Sequence, residues 1–296
     1  MYPASFDYVA PRTLDEALAE LGNRGEDAKV LAGGQSLIPL MKLRFARPGT
    51  LVDINRIPGL DFIDDSGGSL RIGALVRHND VVHSEAVRRT NHTVSAAAPW
   101  VSDPLVRNLG TVAGSLAHAD PQGDWASVML ACGAEVVARK QSGERVIPMT
   151  ELITGFFTTV LAADELITEV RVPKYDGRGG GAYLKLERKV GDYATAGVAT
   201  HLVLDAQGRI SAAGIGLTGV ASNNVKATDA EAVLVGAEPS EAVFAEAADL
   251  AARASSPSSD VRGSAEYKRE VVRVFVRRGL ATAADIARNS APATNA

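Results

Sequence analysis

Hydrophobic residues alternate between helical and strand-like spacing along the chain, without the regular order of a repeated unit. Thr13 and Glu16 have the spacing of a capping box, and the apolar positions after them predict an amphipathic helix ended by Gly22 and Gly25. Short apolar runs predict strands at 28–32, 51–54, 69–74, 134–138, 145–148 and 166–172. Further helices are predicted at 37–43, 79–89 and 125–132, the second of them capped by Asn79. Because no βαβ unit repeats, the pattern predicts an α+β fold rather than a doubly wound sheet.

The last third of the chain has a different pattern. Its glycine run at 177–181 predicts a linker, and strand-like runs follow at 182–188, 194–204 and 209–217. A tight turn at 205–208 favours a three-stranded antiparallel meander. Three alanine-rich helices are predicted after it, at 229–235, 240–254 and 264–278. We therefore expect two N-terminal subdomains, a C-terminal domain and a frayed tail, at 1–57, 58–177, 178–288 and 289–296.

Composition and charge exclude several classes of function. Of the 296 residues, 46% are hydrophobic and 22% are charged, which is typical of a globular protein. A net charge of -4 without a basic block argues against nucleic-acid binding. No apolar run approaches the roughly 20 residues of a membrane span, and the first residues lack the pattern of a signal peptide.

The single cysteine, Cys132, limits the redox chemistry of the chain. One cysteine excludes an intrachain disulfide and favours a reducing, cytoplasmic location. It also excludes an iron–sulfur cluster held by four thiolates of this chain. Its apolar neighbours predict a small core residue. If the protein moves electrons, the other redox centres must lie on partner chains.

The first candidate site is Leu31-Ala32-Gly33-Gly34-Gln35-Ser36-Leu37, which follows a predicted strand. Two glycines and a hydroxyl residue permit a tight turn whose successive N–H groups form a concave anion site. Ser36 is expected to begin the helix after it, whose N-terminus also favours negative charge. An ordinary strand-to-helix turn fits this segment equally well when it is considered alone.

A second glycine-and-hydroxyl turn is predicted at Leu109-Gly110-Thr111-Val112-Ala113-Gly114-Ser115. Two such turns, remote in the chain, are able to hold one ligand between two subdomains. A diphosphate fits main-chain donors of this kind, because charge-assisted hydrogen bonds contribute on the order of 1.5–3 kcal/mol each. The loop after the second turn carries Asp120 and Asp124, which fit either a helix cap or hydrogen bonds to ligand hydroxyls.

At these residues the chain resembles a known family. Ala32-Gly33-Gly34-Gln35-Ser36, Thr111-Val112-Ala113-Gly114-Ser115 and Gly191-Asp192-Tyr193 are similar to the motifs of the FAD-binding medium subunit of molybdenum hydroxylases. That family includes carbon monoxide dehydrogenase, nicotine dehydrogenase and the flavin portion of xanthine dehydrogenase. The family's second motif usually has two adjacent glycines, whereas this chain has Ala113 in place of the first. Alanine argues against a left-handed backbone at that position.

The resemblance implies the fold and the residues that bind FAD. The fold would be a two-subdomain FAD-binding cradle of the PCMH/VAO type, followed by a C-terminal domain of a three-stranded antiparallel sheet with a helical bundle. Lys185 and Tyr193 would reach the isoalloxazine ring, Asp124 would contact FAD, and Val101 and Ile167 would pack against the flavin. The full implied set is Leu31, Ala32, Gly33, Gly34, Gln35, Ser36, Leu37, Val101, Gly110, Thr111, Val112, Ala113, Gly114, Ser115, Ala117, Asp124, Ile167, Lys185 and Tyr193.

The resemblance also implies the function and the partners. The chain would pass electrons through FAD to an external acceptor. It would receive them from a small iron–sulfur subunit that is itself reduced by a large molybdenum-cofactor subunit. The complex would be a dimer of heterotrimers. A stand-alone FAD-dependent oxidoreductase and a non-redox nucleotide-binding scaffold are the alternatives. Neither the substrate nor the final acceptor can be read from this chain.

Other motifs give weaker signals. Gly214-Ile215-Gly216-Leu217-Thr218-Gly219 matches the dinucleotide fingerprint by letter, but it lies in the predicted meander with no helix opening after it, so close packing is expected instead. The spacing of the five histidines does not match a metal site, and no metal is predicted. Gly-x-Ser-x-Gly is absent, so a serine nucleophile is not expected either, and no catalytic residue is predicted.

Overall fold

The computed structural model of this chain describes residues 2–175 and 177–290. Its first part is a parallel three-stranded sheet in the order β1-β3-β2, in which Val30 pairs with Val52. Thr13 and Glu16 form the predicted capping box at the start of the first helix. The elements of this part are β1 (Asp7–Val9), α1 (Leu14–Arg24), β2 (Ala28–Leu31), α2 (Leu37–Lys42) and β3 (Thr50–Asp53).

The second part is built on an antiparallel five-stranded sheet in the order β4-β5-β10-β6-β7, with helices between its strands. The hairpin predicted around Gly143 joins β6 and β7. Its strands are β4 (Ile63–Asp64), β5 (Ser69–Gly73), β6 (Glu135–Lys140), β7 (Gly143–Pro148), the paired β8 (Ile153–Gly155) and β9 (Thr158–Thr159), and β10 (Leu166–Pro173). Its helices are α3 (His78–His83), α4 (Glu85–Thr90), α5 (His92–Ala97), α6 (Pro104–Arg107), α7 (Val112–His118), α8 (Asp124–Ala131) and α9 (Met149–Leu152).

The third part is an antiparallel sheet in the order β11-β12-β13-β14, covered by helices. The predicted three-stranded meander is present, and the short β14 adds a fourth strand along the edge of β13. Its strands are β11 (Arg178–Leu186), β12 (Ala196–Leu204), β13 (Ile210–Thr218) and β14 (Val225–Lys226). Its helices are α10 (Thr228–Leu234), α11 (Glu241–Ala254) and α12 (Ala265–Asn289).

Two hydrophobic cores lie beneath these sheets. One is continuous through the first two parts and includes Leu21, Val52, Ile72 and Trp125, all fully or almost fully buried. The other lies between the third sheet and α10–α12. The predicted α+β class is therefore confirmed, while the subdomain boundaries at 57 and 177, which fall between the sheets, stay a prediction. Among the described residues no helix combines the length and the apolarity that crossing a membrane requires.

The linker predicted at 177–181 is wrong, because residues from Arg178 onward belong to β11. The glycines there serve packing. A Cβ atom placed on Gly180 would lie 1.9 Å from the carbonyl oxygen of Ala283, so α12 crosses the strand in direct contact with its backbone. A glycine run that reads as flexible in the sequence is therefore a rigid strand under a helix.

Three helix boundaries also differ from the prediction. Asn79 lies inside α3 rather than at its cap, and Ser84 accepts a hydrogen bond from the Val87 amide to begin α4, so two short helices replace one. Gly22 lies inside α1, which ends at the left-handed Gly25. The last helix continues to Asn289 because buried alanines along it pack on the sheet. Of the predicted tail, 291–296 lies outside the described residues.

Candidate functional site

The first glycine segment is a turn with a row of free main-chain donors. It leaves β2 at Leu31, and Gly34 has a φ of +70°, a conformation that favours glycine. Within the part of the chain that the structure describes, the amides of residues 33–37 have no hydrogen-bond acceptor. The segment is partly exposed throughout. Ser36 precedes α2 but its side chain makes no cap, contrary to the expectation. The main-chain donors that the sequence analysis assigned to an anion site are therefore free of partners in the described part of the chain, and the anion site itself stays a prediction.

The second segment is the start of a helix rather than a turn, which corrects the prediction. Thr111 is the N-cap of α7, and its hydroxyl oxygen accepts a hydrogen bond from the Gly114 amide at 3.1 Å. Ala113 is helical and buried, so no left-handed backbone is required there. Among the described residues, the amides of Thr111 and Ala113 have no acceptor. Buried amides without acceptors are uncommon and fit a bound anion.

The two segments touch each other. A Cβ atom placed on Gly33 would lie 2.2 Å from the carbonyl oxygen of Leu109 and 2.7 Å from the Cα atom of Gly110. Only glycine allows this approach of two backbones. We call the surface formed by residues 31–37 and 110–115 the cradle. Its donors are main-chain amides, and neither segment carries an acidic side chain, which suits a negatively charged diphosphate.

Asp124 and Lys185 lie together beside this surface, in a buried polar cluster. The Lys185 ammonium donates to Asp124 Oδ2 at 3.0 Å and to the Trp100 carbonyl oxygen at 3.0 Å, and Tyr183 donates its hydroxyl to Asp124 Oδ1 at 2.5 Å. Burial raises the pKa of Asp124, and the charge of Lys185 opposes that shift. Asp124 does not cap α8, whose N-cap is Gly123. The polar atoms of both residues are therefore satisfied within the protein.

The turn that carries Tyr193 lies against the segment that begins at Val101. Gly191 packs on the backbone of Ser102 and Asp103, which brings the turn at 191–193 against the segment that follows Trp100. Tyr193 is 46% exposed. Partial burial and the neighbouring Asp120 carboxylate raise the pKa of Tyr193 to about 12. Lys185 donates to the carbonyl oxygen of Trp100, the residue just before this segment.

The remaining predicted residues lie along α7 and β10. Gly114 and Ser115 are partly exposed and Ala117 is exposed, whereas Ile167 is buried in the core beside a bulge of β10. The Ser115 hydroxyl lies 3.8 Å from the Cβ position of Gly123, so the cradle continues into the loop before α8.

Comparison with known families decides the identity. A model described as the FAD binding domain in molybdopterin dehydrogenase matches residues 4–175, and one described as the CO dehydrogenase flavoprotein C-terminal domain matches residues 181–283. This chain belongs to the FAD-binding medium subunits of molybdenum hydroxylases. The resemblance seen in the glycine motifs is confirmed, and so are FAD as the cofactor and the oxidoreductase class.

Relatives of this medium subunit cover it almost completely. It is 42% identical to the 6-hydroxypseudooxynicotine dehydrogenase complex subunit alpha of Paenarthrobacter nicotinovorans, over 97% of each chain. It is 40% identical to the carbon monoxide dehydrogenase medium chain of Hydrogenophaga pseudoflava, over 95% of this chain and 97% of that one. The solved carbon monoxide dehydrogenase of the same organism, lacking the Mo-pyranopterin moiety, matches with a TM-score of 0.93 and 41% identity, covering 97% of this chain and 99% of that chain.

Two residues that the sequence analysis did not single out connect the two segments of the cradle. Arg77 donates to the Leu109 carbonyl oxygen at 2.6 Å and to Asn55 Oδ1 at 2.5 Å, and Asn55 donates to the Ala32 carbonyl oxygen at 2.8 Å. Asn55 follows β3, and Arg77 precedes α3. Nothing in their local sequence marks them, because their partners are remote in the chain.

The weaker motifs have structural roles in this medium subunit. Gly214 and Gly216 lie in β13, where Cβ atoms would fall 1.7 Å and 1.9 Å from carbonyl oxygens of Ala131 and Ser127. These glycines let α8 pack on the sheet, as expected, and form no dinucleotide fingerprint. Cys132 is fully buried, and burial raises the pKa of its thiol to about 12, which confirms a core residue. The described residues contain no cluster of metal-ligating side chains.

Two buried histidines predict how stability depends on pH. His78 accepts a hydrogen bond from the indole of Trp125 at 2.9 Å, and burial lowers its pKa from 6.5 to about 4. Burial lowers the pKa of His201 from 6.5 to about 4 as well. Between pH 6.5 and about 4 the unfolded state therefore binds more protons than the folded state, so the free energy of unfolding falls as the pH is lowered. From pH 7 to pH 5 each histidine should remove about 2 kcal/mol from the free energy of unfolding.

Urea denaturation across this pH range measures the effect. Between pH 7 and pH 5 the free energy of unfolding of His78→Gln should fall by about 2 kcal/mol less than that of the wild type. Parallel profiles for wild type and His78→Gln would contradict the prediction.

Proposed function

We propose that this medium subunit holds FAD in the cradle and passes electrons from an iron–sulfur subunit through it to an external acceptor. The contact of Gly33 with Leu109 and Gly110 carries this proposal, since it joins two rows of unpartnered amides into one anion site. The chemistry of the donors fits the diphosphate of FAD. When bound, FAD supplies the electron transfer, and the protein supplies binding, orientation and electrostatics.

The residues of the cradle have separate roles in this proposal. Amides of Gly33, Gly34, Gln35 and Ser36 on one side, and of Thr111 and Ala113 on the other, donate to the diphosphate. Gly114 keeps the surface of α7 open, since the Thr111 hydroxyl is the one described atom within 3 Å of its Cβ position. Leu31, Ala32, Leu37, Gly110, Val112, Ser115 and Ala117 shape the walls.

We assign fewer direct contacts with the flavin than the sequence analysis expected. Lys185 is only 1% exposed and already donates to Asp124 and to the Trp100 carbonyl oxygen, with Glu187 3.5 Å away, so we assign it an electrostatic role through the Asp124 cluster rather than a direct hydrogen bond. Tyr193, half-exposed, is the residue available to cover one face of the ring. Val101 and Ile167 support the flavin site from the core.

Partner subunits complete the proposed electron path. The one cysteine of the chain is buried, so iron–sulfur clusters must be held by another subunit. Substrate oxidation is assigned to a large molybdenum subunit, in a dimer of heterotrimers. The names of two relatives support this division, since a nicotine-derived compound and carbon monoxide are oxidised by complexes that share this type of subunit. The cytoplasmic location stays a prediction.

The test compares the isolated chain with the co-purified complex. The chain alone should bind added FAD, with bands near ~370 and ~450 nm that are the cofactor's own, and should oxidise no small molecule. In the complex, the substrate should reduce the flavin only when the two partner subunits are present. Turnover by the chain alone would favour a stand-alone oxidoreductase, and failure to bind FAD would favour a scaffold.

A further inference from the structure

A continuous chain of hydrogen bonds runs from one side of the cradle to the other. It starts at the Ala32 carbonyl oxygen, which accepts from Asn55 Nδ2 at 2.8 Å. Asn55 Oδ1 accepts from the Arg77 guanidinium at 2.5 Å, and the same guanidinium donates to the Leu109 carbonyl oxygen at 2.6 Å. One end of this series of bonds is therefore the carbonyl of Ala32, within the cradle, and the other is the carbonyl of Leu109, which adjoins it. We call Asn55 and Arg77 the clamp.

The orientation of the clamp is determined by its surroundings. Asn55 Nδ2 also donates to Asp53 Oδ1 at 2.6 Å, and the other Asp53 oxygen accepts from the Tyr8 hydroxyl at 2.5 Å. With two acceptors at its nitrogen and a guanidinium at its oxygen, the Asn55 amide has one favourable orientation. The Arg77 backbone amide is held in turn by the Asp80 carboxylate at 2.9 Å.

Holding a carbonyl also fixes the amide of the next residue. In a trans peptide the C=O and the following N–H lie in one plane and point in opposite directions. The Ala32 carbonyl points to Asn55, so the Gly33 amide points away from Asn55, and Gly33 is one of the free donors of the cradle. At the other end, Arg77 holds the Leu109 carbonyl against which Gly33 packs. The clamp thus sets both the direction of a donor and the spacing of the two segments.

We propose that Arg77 and Asn55 are positioning residues for the FAD diphosphate, fixing the direction of the Gly33 amide and the spacing of the two segments before the cofactor arrives. This inference rests on the proposed FAD site. Preorganised donors bind an anion more tightly because less ordering is required on binding. The clamp acts on the diphosphate rather than on the flavin ring, so ADP should depend on it as FAD does.

The test measures dissociation constants of FAD and ADP for the purified full chain by calorimetry. Arg77→Lys keeps the positive charge but cannot reach both acceptors. We expect this substitution to raise the dissociation constants of FAD and ADP about tenfold, which is the effect of losing one charge-assisted hydrogen bond. Asn55→Ser should raise both dissociation constants to a similar extent. The double variant should bind about as tightly as the weaker-binding single variant, because the two residues act as one unit.

Arg71→Lys is the matched control. Arg71 is similarly half-buried and binds Glu169 with two hydrogen bonds, at 2.8 Å and 2.7 Å, within the second sheet and away from the clamp. It should lower the melting temperature of the FAD-free chain and leave both dissociation constants unchanged. Arg77→Lys should raise both dissociation constants, whatever its effect on the melting temperature.

The outcomes separate the clamp from the FAD site itself. Wild-type affinity in Arg77→Lys and Asn55→Ser would overturn the clamp while leaving the FAD proposal standing. Weaker binding of FAD with unchanged ADP binding would also overturn it, since the effect would then lie at the flavin. A wild-type chain that binds neither ligand would instead overturn the proposed function. Should Arg77→Lys fail to fold, the comparison of Asn55→Ser with Arg71→Lys decides.

Discussion

Replacing Gly33 by valine should abolish FAD binding by this chain. A Cβ atom at this position would lie 2.2 Å from the Leu109 carbonyl oxygen and 2.7 Å from Gly110 Cα, and both atoms belong to the backbone, so a rotamer change cannot relieve the clash. The two segments must separate, and the amides that face each other across the cradle lose their common ligand. We expect the dissociation constant to rise at least about 100-fold, which corresponds to about 2.7 kcal/mol.

The flavin absorbance per purified chain and a calorimetric titration measure this loss. Gly67→Val is the matched control, because Gly67 lies in the turn between β4 and β5 with no atom within 4 Å of its Cβ position. It should retain full FAD occupancy. Gly33→Val with an unchanged dissociation constant would show that the contact between the segments is structural only, and the proposed cradle would have to be abandoned.

Replacing Lys185 by methionine should lower the free energy of unfolding by about 3–5 kcal/mol, the usual cost of removing one partner of a buried ion pair. The ammonium is 1% exposed and the Asp124 carboxylate 7% exposed, so water cannot take the place of the lost partner. Without Lys185 the pKa of Asp124 should rise further, since the charge that opposes the effect of burial is gone. The loss should therefore be smaller at acid pH, where Asp124 is protonated and neutral.

Urea denaturation of the FAD-free chain measures this effect. Lys185→Met combined with Asp124→Asn should recover part of the loss, because the buried charge of Asp124 is then removed, whereas Glu187, 3.5 Å from Lys185, still loses its partner. The exposed pair of Arg277 and Glu241, 3.3 Å apart, supplies the control Arg277→Met, which should cost at most about 1 kcal/mol. A small stability change in Lys185→Met together with a large loss of FAD affinity would contradict the cluster and restore a direct contact with the flavin.

The Gly33 and Lys185 substitutions test different parts of the structure. Gly33 controls whether the two segments form one surface, while the Asp124 cluster connects α8 to β11 and thus the second part of the chain to the third. The proposed electron transfer requires a cofactor held in a fixed position. A rigid connection between the second and third parts of the chain supports that proposal.

Local features of the fold were predictable from the sequence, because they depend on residues a few positions apart. The Thr13–Glu16 capping box, the hairpin at Gly143 and the antiparallel meander need only short-range spacing, and all are present. The glycine motifs likewise indicated the family and FAD. The predictions were wrong where a local pattern is compatible with two structures. The second glycine segment was predicted to be a turn, but Thr111 caps a helix there.

Contiguous residues were enough to specify the class of fold, the family and the turn at the first glycine segment. Tertiary structure alone decided that Gly33 meets Leu109, that Arg77 and Asn55 join the segments, and that Lys185 pairs with Asp124, 61 positions away. It also made the glycine run at 177–181 a strand beneath α12. The physical reason is the same in each case: burial, hydrogen-bond partners and close backbone approach depend on which remote residue arrives, and no local spacing specifies that.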